Sequence, residues 1–216
     1  MSITAATVRG TAMQTTDQLP AGESWGRGAR VLDRQKLDEA LLRSIAAGDK
    51  SAMQVLFQRH SVRIYRFALR FVEDAALAED IASEVFIEVW RNARGFKARS
   101  QVTTWLLAIA RNKASSALRR RSAAQLDDQM AADVIDPGDD PEAVMQRRDR
   151  GEVVRRCLAQ LSPIHREILD LVYYHEKSID EVAQIVGAPK NTIKSRMIRA
   201  RGRMAELLAA ARVEVP

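Results

Sequence analysis

Lys190, Thr192, Lys194, Ser195, Arg196 and Arg199 place four cations and two hydroxyls within ten residues of a 216-residue chain. Groups of these types do not make or break bonds by themselves. They hold phosphates and read base edges, through charge-assisted contacts to the backbone and hydrogen bonds in a groove. From Lys190 to Glu206 six basic residues stand against one acidic residue. That ratio is too lopsided for a surface helix laced by i,i+4 ion pairs, although a solvated basic face on a structural helix is the plainer account of the charge alone.

Such a face needs a scaffold, and the preceding residues supply one. Ser178 followed three residues later by Glu181 is a capping box that opens a helix, and Gly187 closes it. Pro189 suits the first turn of the next helix, where its missing amide proton would have no partner. On that helix Ile193, Met197, Ala200 and Met204 fall at i, i+4, i+7 and i+11, one apolar stripe to pack on Val182, Ile185 and Val186. Asn191, Thr192, Ser195, Arg196 and Arg199 then point elsewhere. The pattern predicts a helix-turn-helix whose second helix enters the DNA major groove.

Residues with catalytic potential are few. Cys157 and His165 lie two turns apart across a predicted helix break, and His175 stands at a helix end beyond them, which is neither dyad nor metal-ligand spacing. His60 lies on an apolar stripe, as a satisfied core or boundary histidine does. No Gly-x4-Gly-Lys phosphate loop occurs. The expectation is a chain without catalysis, cofactor or metal.

A net charge of +6 and a pI near 9.8 favour an anionic partner, nucleic acid first. No apolar run approaches the ~20 residues that span a bilayer, so no membrane insertion is expected. The first 30 residues lack the apolar core of a signal peptide, and Cys157 is the single cysteine. Both features fit a reducing, cytoplasmic compartment.

Charge also divides the chain. Residues 122–146 carry seven acidic and no basic residues, with Pro137, Gly138 and Pro141 as helix breakers, and read as a flexible acidic linker. Before it, Met53, Leu56, Phe57, His60, Ile64 and Ala68 repeat at helical spacing, as do Ile81, Val85, Phe86 and Val89. After it, Val153 to Leu161 and Pro163 to Tyr174 predict two helices, the second capped by Ser162. The expected fold is all-α: a disordered tail over 1–32, a helical domain over 33–121, the linker over 122–146, and a helix-turn-helix domain over 147–216.

Within the first domain, Glu73 to Glu88 holds six acidic residues and no basic one, and Arg91 to Arg121 holds nine basic and no acidic. Asp80, Glu84 and Glu88 recur every four residues and share one face. One small domain thus offers two surfaces of opposite sign, suited to two partners. Trp90 and Trp105 sit near apolar stripes and read as core. Phe96, beside Gly95 and a polar run, reads as a loop residue able to stack on a base.

Tyr65–Phe71, the run Ala78-Glu-Asp-Ile-Ala-Ser-Glu-Val-Phe-Ile-Glu-Val-Trp90, Thr104-Trp-Leu-Leu-Ala-Ile-Ala-Arg-Asn112 and the helix-turn-helix together resemble, in order, the extracytoplasmic-function sigma factors of bacterial RNA polymerase. The resemblance spans about Leu41 to Leu208. It implies that Asp80, Glu84 and Glu88 grip the core polymerase. It implies that the loop bearing Phe96, Lys97 and Ser100, with Arg111, Asn112 and Lys113, captures a flipped base of the melted minus-ten strand, whose extraction costs a few kcal/mol. Lys190, Thr192, Lys194, Ser195, Arg196 and Arg199 would meet the duplex minus-thirty-five element. Members of the group are often held inactive by an anti-sigma protein, which joins the implied partners. Ser83 replaces a usual glutamine, and Pro189 stands where a serine is common.

The competing reading from the residues is a stand-alone helix-turn-helix regulator that binds duplex operator without polymerase. Reach does not oppose the sigma reading. A 25-residue linker extends to ~85 Å at ~3.4 Å per residue, the length of ~25 base pairs.

Overall fold

The computed structural model describes residues 22–124 and 144–213, with side chains for 33–122 and 151–211. Among these residues every regular element is helical: α1 (Gly22–Ala46), α2 (Lys50–Val72), α3 (Ala75–Asn92), α4 (Val102–Ala124), α5 (Val144–Ala159), α6 (Pro163–Leu169), α7 (Ile179–Val186) and α8 (Lys190–Val213). The all-α expectation holds, in two helical modules. Residues 125–143 of the predicted linker and the first 21 residues lie outside the described residues, while the predicted linker's two ends, 122–124 and 144–146, belong to α4 and α5. The expected disordered tail over 1–32 needs correction, because α1 begins at Gly22.

Local chemistry sets the ends of the first module's helices. Asp49 caps α2, its carboxylate accepting from the Ser51 and Ala52 amides at 2.8 and 3.1 Å. The turn before it uses Gly48 at φ +93°, a conformation that costs a side chain dearly. Asp74 caps α3 through the Leu77 amide at 3.1 Å. The same carboxylate meets Arg121 Nη1 at 3.0 Å, tying the start of α3 to the end of α4.

Helices α2, α3 and α4 pack pairwise around Leu56, Ile64, Phe67, Val85, Val89, Leu106 and Leu107, all at most 1 % exposed. Each such side chain contributes about 1.5–3 kcal/mol by leaving water. His60 belongs to this core, 6 % exposed, with Nε2 2.9 Å from Asp38 Oδ2. Burial alone would raise the Asp38 carboxyl, but the His60 hydrogen bond and the charges of His60 and Arg59 hold it below its ordinary value. Two predicted core residues depart from expectation. Phe57 is 46 % exposed, resting edge-on against Phe86 at 4.8 Å, and Trp90 is 39 % exposed. Both lie at the margins of their stripes.

In the second module Ser162 caps α6 with Pro163 at its first position, as expected. The α-helix ends at Leu169, however, and Asp170–Tyr174 continues as one wide π turn, closed by the His175 amide on the Asp170 carbonyl at 3.0 Å. Ser178 and Glu181 form the predicted capping box of α7, and Gly187 ends it at φ +68°. Pro189 stands one residue before α8, as its cap, with its carbonyl accepting from the Ile193 amide at 3.1 Å. Ile193, Met197 and Ala200 are buried on Val182 and Ile185, and Cys157 is buried at 2 % exposure.

From Gln35 onward the described residues form one compact unit, so the two modules touch. Helix α4 packs on α7. Across this seam Arg111 Nε donates to Glu167 Oε1 at 2.5 Å, and Arg66 donates to the Tyr174 hydroxyl at 3.0 Å. Arg166 pairs with Glu73. Arg70 lies 2.8 Å from Asp170 as a charge contact, not an aligned hydrogen bond, with its guanidinium 3.5 Å from the centre of the Tyr174 ring. Lys177 Nζ reaches Gln101, Thr103 and Thr104 oxygens at 3.2, 2.6 and 3.1 Å.

Candidate nucleic-acid interface

Burial of Ile193, Met197 and Ala200 fixes the rotation of α8, and with it what faces outward. Two residues further back along the chain, Asn191, Ser195, Ile198 and Gly202 repeat the same i, i+4, i+7, i+11 spacing, and a two-residue offset turns them about 200° from the core. All four are exposed, Ile198 at 72 %. Lys194 and Arg201 flank this line on one side, and Thr192, Arg196, Arg199 and Arg203 on the other. Thr192 and Arg196 are half-buried, and Lys194 and Arg199 are exposed. Lys190 is tied to Asp180 at 2.7 Å. The Ser195 hydroxyl donates to the Asn191 carbonyl at 3.0 Å.

Of the six residues predicted for duplex binding, Ser195 lies on the exposed line, Lys190, Lys194 and Arg199 are exposed beside it, and Thr192 and Arg196 turn partly toward the core. Asn191 and Ile198 also lie on that line and were absent from the predicted set. The available signal was the exposed line itself: an isoleucine opposite an apolar stripe has no packing role.

On the first module, Asp80 and Glu84 are exposed and Glu88 is partly so. Ile87, 49 % exposed, stands beside them on the outward face of α3. The acidic row is not wholly free. Lys113 Nζ lies 3.3 Å from Glu84 and 3.6 Å from Glu88, and Asn92 donates to Glu88 at 2.5 Å.

The residues predicted for the melted strand separate. Arg111 and Lys113 are two positions apart on α4 and therefore point to nearly opposite sides, Arg111 to Glu167 and Lys113 to the acidic row. Asn112 is exposed between them. Phe96 does lie in a loop, followed by exposed Lys97, Ala98 at φ +52° and half-buried Ser100. Its ring is not free, since it packs on Trp105 at 5.3 Å between centroids. Sequence could not show this pairing, because nine residues across a loop carry no periodic signal.

Glu181 closes both the capping box and the seam between modules. Its Oε2 accepts from the Ser178 amide and hydroxyl at 3.0 Å each, and its Oε1 from Thr104 Oγ1 at 2.6 Å and Lys177 Nζ at 2.9 Å. Burial would raise this carboxyl, yet the Thr104 and Lys177 hydrogen bonds and the Ser178 amide hold it below its ordinary value. Lys177 is 5 % exposed. Burial pushes its ammonium down, with Glu181 restoring part of the loss. Among the described residues no group of histidine, cysteine and carboxylate side chains could hold a metal ion, and no helix is long and apolar enough to cross a membrane.

Comparison with known proteins matches residues 56–124 to the family described as Sigma-70 region 2 and residues 151–204 to Sigma-70, region 4. The chain is 32% identical over 162 residues to the ECF RNA polymerase sigma factor SigK of Mycobacterium tuberculosis, covering 74% of this chain and 87% of the relative. It is 31% identical over 176 residues to the RNA polymerase sigma-H factor of Pseudomonas aeruginosa, covering 77% and 91%. Among solved structures, the sigma factor RpoE in complex with the anti-sigma factor NepR from Bartonella quintana superposes with a TM-score of 0.61 at 26% identity, over 72% of this chain and 96% of that one. CnrH in complex with the cytosolic domain of CnrY gives 0.59 at 25% identity, over 81% and 98%.

Proposed function

The chain belongs to the ECF RNA polymerase sigma factors, and on that premise we propose how its two modules share the work of initiation. It binds core RNA polymerase and directs it to promoters. The outward acidic row of α3, with Ile87 beside it, docks on a basic surface of the polymerase. Helix α8 enters the major groove of the minus-thirty-five element. Asn191, Ser195 and Ile198 read base edges there, the amide suited to adenine and the isoleucine to a thymine methyl, while Lys194, Arg196, Arg199 and Arg201 hold phosphates. The loop of Phe96, Lys97 and Ser100, with Arg111 and Asn112, receives the melted minus-ten strand. For this, Phe96 or Trp105 must give up its partner ring to a base, an exchange of one stacked contact for another. Lys113 serves the acidic row instead, by holding Glu84 and Glu88 outward.

The reading extends to cytoplasmic residence, to a chain that performs no catalysis itself, and to control by an anti-sigma protein, as in the two solved complexes. One observation carries it: a single chain presents an outward acidic row on α3 and an outward cationic face on α8. Two double variants test the division. Asp80→Arg with Glu84→Arg should abolish capture by core polymerase while sparing duplex affinity, and Arg196→Ala with Arg199→Ala should do the reverse. Equal loss of polymerase capture in both would refute it.

A further inference from the structure

On the reading that the loop from Phe96 to Gln101 takes the melted strand, we propose that Gln35 and Glu39 of α1 are its positioning residues. They hold the start of α4, and with it the loop, in the shape that receives a base. Such a loop needs holding. Ala98 stands at φ +52°, a left-handed conformation that a residue with a Cβ keeps only where its surroundings impose it.

Both ends of the loop are tied to α1. Before it, in the 3-10 turn Ala93–Gly95, Arg94 Nε donates to the Ala46 carbonyl at 3.1 Å. After it, the Val102 amide donates to Gln35 Oε1 at 3.2 Å. Val102 opens α4, so its amide has no acceptor within the helix, and Gln35 supplies one from 67 residues away. Residues 35 and 46 lie about 16 Å apart along the axis of α1, so one helix braces the loop on both sides. Glu39 decides which end of the Gln35 amide faces Val102. Its carboxylate only accepts, and it takes a proton from Gln35 Nε2 at 2.6 Å, which turns Oε1 toward the amide of Val102. Both side chains are half-buried. On the same face Asp38 anchors the brace: at 3 % exposure it lies 2.9 Å from His60 Nε2 and 2.8 Å from Arg59 Nε, both on α2. A buried carboxylate keeps such partners because parting from them leaves a charge unpaired away from water. Helix α1 is therefore fixed on α2 one turn from Gln35.

The consequence is preorganisation. A loop already held in its bound shape loses less conformational freedom when the strand arrives, which leaves more of the contact energy to offset the unstacking of a base. Gln35 and Glu39 act through the loop and need not touch the strand. Duplex contact by α8 does not involve them.

The test is promoter opening by holoenzyme assembled from core polymerase and the full chain, read as permanganate reactivity of thymines in one promoter recovered from a library. Gln35→Ala should shift the equilibrium between closed and open promoter about fivefold toward closed, the change that one neutral hydrogen bond makes in an equilibrium constant, with polymerase capture and duplex affinity as in wild type. Gln35→Glu should also open poorly, because it sets two carboxylates four residues apart on one helix. Adding Glu39→Gln reverses the polarity of the pair, so that the new carboxylate accepts from the Val102 amide and the new amide donates to it. The Gln35→Glu, Glu39→Gln double variant should then open as wild type does, a rescue that general destabilisation would not give. Normal opening by Gln35→Ala, failure of the double variant to rescue, or loss of polymerase capture by Gln35→Ala each overturns the brace. Phe96→Ala isolates the premise: normal opening by that variant overturns the assignment of the loop to the strand, whereas poor opening by Phe96→Ala beside normal opening by Gln35→Ala overturns the brace alone.

Discussion

Ile198 shows most clearly what one side chain can decide. A solvent-facing isoleucine in a helix surrounded by arginines gains nothing from folding, since its apolar surface remains in water. Against a major groove it gains by covering a thymine methyl, a contact that depends on the base, whereas the guanidiniums around it meet phosphates that every sequence shares. Ile198→Ala should therefore relax preference at a single base step by about 1 kcal/mol and leave the salt dependence of duplex binding unchanged. Arg199→Ala should lower the salt slope by about one and leave preference intact. Competition binding over a randomised duplex at several salt concentrations separates the two. Cationic residues were legible in the sequence because charge density needs no fold. The exposed line of Asn191, Ser195 and Ile198 became visible only once burial had fixed the rotation of α8.

At the scale of elements, periodicity and capping chemistry carry most of the information. The capping box, Gly187 and the two apolar stripes located α7 and α8, and Ile81, Val85, Phe86 and Val89 located α3, because each signal lies within one or two turns. The start of α1 escaped, since Gly22, Gly26 and Gly28 are poor helix formers and hide a helix from propensity. Contacts across the seam escaped for another reason: Arg111 and Glu167 are 56 residues apart, and no local pattern couples them. Helix α7 links the two levels through Glu181. Its carboxyl is held below its ordinary value in the folded chain, so its contribution to stability is fully present above the unfolded value near pH ~4.3 and is lost as pH falls through the lower folded one. Chemical denaturation of wild type and Glu181→Gln should thus differ most above the unfolded value and converge only once pH has fallen below the lower folded one. A constant difference across that range would mean that Glu181 acts through shape and not charge.

The whole molecule carries an outward acidic row on α3 and an exposed line flanked by cations on α8, on two modules that touch through α4 and α7. The proposed docking on the acidic row and the proposed duplex contact need no rearrangement, since both surfaces are exposed. Two domains and a C-terminal helix-turn-helix were legible from blocks of charge and apolar spacing. Their closure was not, because a linker long enough to reach across a promoter is equally long enough to let the modules meet. The most direct test of the central claim is assembly of the purified chain with bacterial core RNA polymerase, followed by transcription from a promoter library. The account predicts stable capture and a new set of start sites sharing a minus-ten and a minus-thirty-five element. Tight duplex binding by the chain alone, with no capture by polymerase and no new starts, would contradict it.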